Sequence, residues 1–222
     1  MNIWVKICGN TTLGDAQLAA DAGADAVGFV FAPSPRRVTV EQVAAITPHL
    51  PSRLEKIGVF VGAEFDEIAA AVKESGLTGV QLHSGVETGL AARLRKRFGA
   101  DLRLLQVIHY GENAAHELRT ASSDPDVNGV LVDSRTATAV GGTGIAFDWQ
   151  AARAEIFDGR SWLKLVVAGG LTPSNVAEAI ATLRPWGVDV VTGVEASPGR
   201  KDPEKVLAFI AKARATAIQI TA

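Results

Sequence analysis

The only cysteine of the chain, Cys8, lies where a short apolar run ends, in the stretch WVKICGN. A thiol becomes a base or a nucleophile when it loses its proton, and a free cysteine titrates near pH ~8.5. A buried cysteine more often serves as a small apolar side chain. Its chemistry therefore depends on which other reactive side chains the fold brings beside it.

Other reactive side chains end apolar runs of the same kind. His83 ends GVQLH, His109 ends LRLLQVIH, and Asp133 ends GVLVD. Because side chains alternate across a strand, Lys6 and Cys8 share one face of the first run. Whether these groups meet is decided by the arrangement of the strands.

Eight runs rich in Val and Ile begin roughly 22 to 33 residues apart, with helical patterns between them. They are IWVKIC, DAVGFVF, EKIGVFV, GVQLH, LRLLQVIH, GVLVD, WLKLVVAGG and VDVVTGVE. Alternating strands and helices favour a parallel sheet, and eight units in 222 residues favour a closed barrel. We therefore predict an α/β protein, one (β/α)8 TIM barrel over residues 1–222. An open doubly wound sheet is the alternative, but no G-x-G-x-x-G follows the first run.

Helix boundaries are marked by capping residues. Thr39 is a typical N-cap, and Gly76 is typical of a helix C-terminus. Thr172 followed by Pro173 predicts another helix start.

In such barrels the chemistry lies at the C-terminal ends of the strands. A thiol, an imidazole and a carboxylate are then expected at one mouth, at Cys8, His83 and Asp133. Lys6 would face the interior, where a lysine is costly unless it is paired. Since the last strand closes against the first, we predict a Lys6–Asp189 ion pair beneath the site.

Three glycine-rich segments, AVGGTGIAFDW, VAGGLTPSNV and TGVEASPGRKDPEKV, follow the last three runs. Glycines let backbone N–H groups approach an anion, and barrels often bind phosphate in the loops after strands seven and eight. The expected ligand is a small-molecule phosphate monoester. After the second run, Arg36 and Arg37 are candidates to bind a substrate carboxylate.

Composition excludes several classes of partner. The formal net charge of −2 gives no reason to expect nucleic acid, and no apolar run approaches the ~20 residues that span a membrane. The four histidines are scattered, so no metal site is expected. The N-terminus lacks the sections of a signal peptide, so we expect a cytoplasmic protein, either a monomer or a homodimer.

Taken in order, the motifs identify a family. They are KICG, GFVF with SPR, GVFV, VQLH, LVDS, GGTG..FDW, AGGL.P.NV and GVE.SPG.KD, and they run from Lys6 to Asp202. At this spacing they resemble the phosphoribosylanthranilate isomerases. The resemblance implies an intramolecular aldose–ketose isomerase of tryptophan biosynthesis. It would convert N-(5'-phosphoribosyl)anthranilate to 1-(2-carboxyphenylamino)-1-deoxyribulose 5-phosphate by an Amadori rearrangement, without a cofactor.

The resemblance also implies roles for individual residues. Cys8 would be the general base and Asp133 the general acid, with His83 lining the site. By the S-x-R pattern Arg36 would bind the anthranilate carboxylate, and Arg37 is the alternative because the loop is one residue shorter than in some relatives. The phosphate would be bound by the glycines Gly142, Gly144, Gly169, Gly170 and Gly193. Glu195 is the remaining predicted substrate-binding residue.

Other functions make different demands. A ribulose-phosphate epimerase would need metal-binding His and Asp residues at strand ends. An indole-glycerol-phosphate synthase would need several catalytic Lys and Glu residues there. A non-catalytic phosphometabolite-binding barrel would need the glycine loops but would have no use for Cys8 and Asp133.

Overall fold

The strands close into a single barrel, which confirms the predicted (β/α)8 architecture. The computed structural model describes residues 3–83, 87, 89–134, 148–158 and 163–221. All neighbouring strands pair in parallel, and β1 closes against β8, so the sheet is not open. The barrel strands are β1 (Trp4–Ile7), β2 (Ala26–Val30), β3 (Glu55–Phe60), β4 (Gly79–Leu82), β5 (Arg103–His109), β6 (Gly129–Asp133), β7 (Lys164–Ala168) and β8 (Gly187–Val190).

Helices follow the strands and cover the outside of the barrel. They are α1 (Leu13–Asp21), α2 (Val40–Ile46), α3 (Phe65–Ser75), α4 (Leu90–Phe98), α5 (Ala114–Ser123), α6 (Trp149–Ala152), α7 (Val176–Leu183) and α8 (Pro203–Thr221). Thr39 caps α2 in a complete capping box with Gln42, and Gly76 ends α3 at a φ of 65°, as predicted. None of the helices within the described ranges has both the length and the apolar character needed to cross a membrane.

The strand faces divide as their alternation predicts. Ile3, Val5 and Ile7 of the first run belong to the apolar layer between sheet and helices. A second apolar cluster lies inside the barrel, from the N-terminal ends of the strands (the lower end) to Ala168, which pairs with Asp133, and contains Trp4, Ala26, Ile57, Leu105, Val107, Leu131, Val166 and Ala168. Trp186 closes this end by stacking on Trp4, with ring centroids 5.1 Å apart. The lower interior is thus a packed core, and polar groups are left to the upper end.

Two predicted boundaries are wrong. The eighth run does not continue as a strand to Glu195, because β8 ends at Val190 and a 3₁₀ turn follows over Thr192–Val194. Glu195 instead begins a two-stranded antiparallel hairpin, β9 (Glu195–Ser197) and β10 (Arg200–Lys201). The helix predicted from Thr172 begins only at Val176, since the side chain of Asn175 ties the preceding residues into a separate turn.

Candidate active site

Cys8 lies directly after β1 and is 3% exposed. Its backbone N–H donates to the Val190 carbonyl, 2.9 Å away, and the chain then turns at Gly9 with a φ of 74°. The sulfur occupies space left free by Gly28 on β2, where an added Cβ would lie 2.4 Å from Sγ. The first strand therefore directs the thiol into the upper interior of the barrel.

Beneath the thiol, Lys6 is fully buried and its ammonium group is paired. Its Nζ lies 2.9 Å from Asp189 Oδ1 and 2.9 Å from Gln81 Oε1, which confirms the predicted ion pair. Gln81 in turn contacts His83, with Nε2 of each side chain 3.3 Å apart. A polar chain thus crosses the interior from β8 through β1 to β4.

The Lys6 side chain and the Cys8 sulfur both lie against Gly28, so the ammonium charge acts on the thiol at short range. Burial lowers the pKa of Lys6, but the charges of Asp189 and Cys8 outweigh it and raise the pKa above that of an ordinary lysine. Burial raises the pKa of the Cys8 thiol above that of an ordinary cysteine, and the charge of Lys6, the largest opposing contribution, offsets that rise only in part. Lys6 is thus the main cation acting on the thiol.

Asp133 ends β6, 2% exposed, and pairs in register with His109 of β5. The rings of His109 and His83 are 6.2 Å apart between centroids. The polar residues therefore continue around the barrel from β4 through β5 to β6. Sequence reasoning noted that His109 ends its strand but gave it no role, because only its neighbours on the barrel show that it borders the site.

The glycines after β7 and β8 bring two loops close together. Gly169 and Gly170 have φ angles of 81° and 66°, and a Cβ on Gly169 would lie 2.5 Å from Asp133 Oδ1. A Cβ on Gly193 would lie 1.9 Å from the Leu171 carbonyl oxygen. Among the described residues, no acceptor takes the backbone N–H of Gly169 or Gly170. Gly142 and Gly144 lie outside the described residues.

Arg36 crosses the Gly9 turn beside Cys8, so that a Cβ on Gly9 would lie 2.9 Å from Arg36 Cδ. Its Nε and Nη2 donate to the two carboxylate oxygens of Glu195, at 2.8 and 2.7 Å. Arg37, the alternative, is exposed to solvent. Of the two arginines, Arg36 is the one that borders the thiol.

Glu195 and Lys201 are neighbours across the β9–β10 hairpin, and both side chains are almost wholly buried. Lys201 Nζ lies 3.4 Å from Glu195 Oε1 and donates to the Cys8 carbonyl oxygen at 2.5 Å. Sequence reasoning missed Lys201, because a lysine in a predicted surface loop gives no sign of burial. The described part of the chain has no group of three or more His, Cys, Asp or Glu residues able to hold a metal ion.

Comparison with known proteins identifies the family. A family model described as N-(5'-phosphoribosyl)anthranilate (PRA) isomerase matches residues 5–212. This chain belongs to the PRA isomerase family. The family is one of isomerases, and the chain is an enzyme of that class.

Individual relatives agree over nearly the whole length. The N-(5'-phosphoribosyl)anthranilate isomerase of Citrifermentans bemidjiense is 43% identical over 215 residues, covering 96% of this chain and 98% of that protein. The crystal structure of the Thermotoga maritima PRA isomerase superposes with a TM-score of 0.82 at 34% identity, covering 96% and 99% of the two chains. A PRA isomerase bound to reduced 1-(o-carboxyphenylamino)-1-deoxyribulose 5-phosphate gives a TM-score of 0.79 at 33% identity, with 96% and 99% covered.

Proposed function

We propose that this chain, acting as one catalytic domain over residues 1–222, isomerises N-(5'-phosphoribosyl)anthranilate in tryptophan biosynthesis, with Cys8 as general base and Asp133 as general acid. The observation that carries the proposal is the buried Cys8 sulfur, packed beside the charged Lys6 side chain at the strand ends of a PRA isomerase barrel. An inert core thiol would have no need of a buried cation.

The first step opens the ribose ring. Asp133 donates its proton to the ring oxygen as the C1'–oxygen bond breaks, and the anthranilate nitrogen uses its lone pair to form a cationic Schiff base with C1'. Asp133 is suited to this role because it ends its strand on the interior face, against the Gly169 turn. A carboxylic acid held at the breaking bond lowers the barrier by keeping negative charge off the leaving oxygen.

The second step removes the proton from C2'. The Cys8 thiolate takes it, the bonding electrons form C1'=C2', and the Schiff-base electrons return to nitrogen. The resulting enolamine then tautomerises to the ketone. Lys6 favours the thiolate electrostatically, and the Schiff base adds a second positive charge near the sulfur while the proton is lost.

Substrate binding fixes the sugar between acid and base. Arg36 would bind the anthranilate carboxylate, while the N–H groups of Gly169, Gly170 and Gly193, with Gly142 and Gly144, would bind the phosphate. His83 would line the site between them. Anchoring both ends of the substrate holds the reacting carbons in place, which is a large part of the catalytic effect in such reactions.

The test is to add purified protein to N-(5'-phosphoribosyl)anthranilate and follow the loss of its fluorescence. We expect wild-type protein to turn over, and Cys8→Ala and Asp133→Asn each to lose about 10²–10⁴-fold in kcat, the usual range for general acid–base catalysis. His116→Gln, a change on the outer helix α5, is the control. Substantial activity in Cys8→Ala would contradict the base assignment, and no turnover by wild type would favour a phosphometabolite-binding barrel.

A further inference from the structure

Glu195 is engaged on every side by the protein. Its carboxylate accepts from Arg36 through both oxygens, and Oε1 also accepts from the Gly199 N–H at 3.2 Å and from Lys201 at 3.4 Å. Its side chain is only 3% exposed. Oε1 thus accepts three hydrogen bonds from the protein, and the negative charge of this carboxylate would repel a substrate phosphate or carboxylate.

The pairing determines which edge of Arg36 faces outward. A guanidinium group has five N–H donors in one plane, and a carboxylate can bind it along the Nε–Nη2 edge or along the Nη1–Nη2 edge. Glu195 takes the Nε–Nη2 edge. Among the described residues no group accepts from Arg36 Nη1, so the Nη1–Nη2 edge could bind a second carboxylate with two parallel hydrogen bonds.

The charges around Arg36 also suit an anion. Arg36 and Lys201 are positive and Glu195 is negative, so the three together keep one net positive charge. Without Lys201 the Arg36–Glu195 pair would be neutral, and it would attract a substrate carboxylate far less. Because of Lys201, Glu195 can bind Arg36 without removing the net positive charge that attracts a substrate carboxylate.

The β9–β10 hairpin that carries Glu195 is fastened to the loop that follows Cys8. Thr11 Oγ1 donates to the Gly199 carbonyl at 2.7 Å, and the Lys201 N–H donates to Asp15 Oδ1 at 3.2 Å. The Lys201 side chain adds its bond to the Cys8 carbonyl. Arg36 is thereby held at a fixed place relative to the thiol.

We propose that Glu195 is a positioning residue, which directs the Nη1–Nη2 edge of Arg36 toward the substrate and so sets the preference for an anthranilate carboxylate. The inference rests on the proposed role of Arg36 as the carboxylate-binding residue. It replaces the direct substrate contact that sequence reasoning predicted for Glu195.

The experiment compares two ligands that differ only in the carboxylate. One is reduced 1-(o-carboxyphenylamino)-1-deoxyribulose 5-phosphate, and the other is its phenylamino counterpart without the carboxyl group. For Glu195→Gln we expect about a tenfold rise in the inhibition constant of the carboxylated ligand and in KM. The inhibition constant of the second ligand and kcat should change by no more than about threefold. Glu204→Gln, an exposed neighbour on α8, controls for the change in net charge.

Arg36→Met separates failure of this inference from failure of the proposed function. We expect it to weaken only the carboxylated ligand, and Glu195→Gln to add nothing further in the Arg36→Met background. If Arg36→Met discriminates between the ligands but Glu195→Gln weakens both equally or neither, the positioning role is overturned and the proposed function stands. If Arg36→Met does not discriminate, Arg36 does not bind the carboxylate and the positioning role is overturned, while turnover by the wild type and its loss in Cys8→Ala still decide the proposed function.

Discussion

Two lysines flank Cys8 and differ in how the protein treats their charge. Both side chains are 0% exposed, Lys6 below the thiol and Lys201 beside its carbonyl. Yet the pKa of Lys6 is raised and the pKa of Lys201 is lowered relative to an ordinary lysine. Equal burial has produced opposite results, so the partners must account for the difference.

Burial lowers the pKa of both lysines, and each is opposed by a carboxylate. Lys6 has Asp189 at 2.9 Å. Lys201 has Glu195 at 3.4 Å, and Glu195 also binds Arg36, whose positive charge lowers the pKa of Lys201 further. A carboxylate of its own raises the pKa of a buried lysine more than a carboxylate shared with an arginine does. Lys6 is therefore held as a cation more firmly than Lys201 is.

The largest effect is expected from Lys6→Met. Removing one partner of a buried pair leaves Asp189 charged and alone, which costs about 3–5 kcal/mol in the free energy of unfolding. The thiol should lose its main stabilising cation, so the pKa of Cys8 should rise and kcat should fall at least tenfold. Urea denaturation measures the first effect. Because Cys8 is the only cysteine, its alkylation rate against pH measures the second directly.

The double variant Lys6→Met with Asp189→Asn separates stability from catalysis. With neither charge buried, we expect the double variant to recover most of the lost stability but little of the activity. A double variant that regained both would show that Lys6 serves the fold alone. Wild-type activity in Lys6→Met itself would contradict its action on the thiol.

A smaller and more local effect is expected at Gly28. An added methyl group there would overlap the Cys8 sulfur at 2.4 Å, with Lys6 Cε at 3.0 Å. Gly58 on the adjoining strand is the matched control, since its methyl group would crowd Leu77 at 2.6 Å on the outer side of the sheet. Both variants should lose stability. Only Gly28→Ala should also lose about tenfold in activity beyond what its loss of stability explains. Equal loss of activity would mean that crowding acts through the barrel as a whole.

The upper site was predictable where it depends on strand periodicity. A repeat of two residues is enough to place Lys6, Cys8 and Asp189 on inner faces, and closure of β1 on β8 then pairs Lys6 with Asp189. The barrel itself was predictable for the same reason, because eight alternating units leave few other architectures.

The hairpin was not predictable in this way. VDVVTGVE reads as one apolar run, and nothing in it marks that the strand stops at Val190 and that a 3₁₀ turn then brings Gly193 against Leu171. Arg36 and Glu195 are 159 positions apart in the chain, and Lys201 and Cys8 are 193 positions apart. Local sequence patterns carry no sign of such distant contacts. Sequence therefore located Arg36 but could not tell which group holds it.

The smallest effect is expected from Lys201→Met, which tests most closely the difference between the two lysines beside Cys8. Glu195 keeps Arg36 as a partner, so no charge is left alone, and the loss in stability near neutral pH should be about 1–3 kcal/mol, the cost of leaving the buried Cys8 carbonyl without a donor. The rise in the pKa of Cys8 should likewise be smaller than in Lys6→Met.

A lowered lysine pKa means that the unfolded chain binds more protons than the folded one between the folded pKa and the ordinary value of about 10.4. Wild-type stability should therefore gain an increment as pH rises through that window, and Lys201→Met should lack it. Urea midpoints of both proteins measured across the alkaline range decide the matter, once the contribution of Cys8, whose pKa also changes in the variant, is taken from its alkylation rate against pH and subtracted. Identical curves, or a destabilisation as large as that of Lys6→Met, would mean that Lys201 is as firmly charged as Lys6.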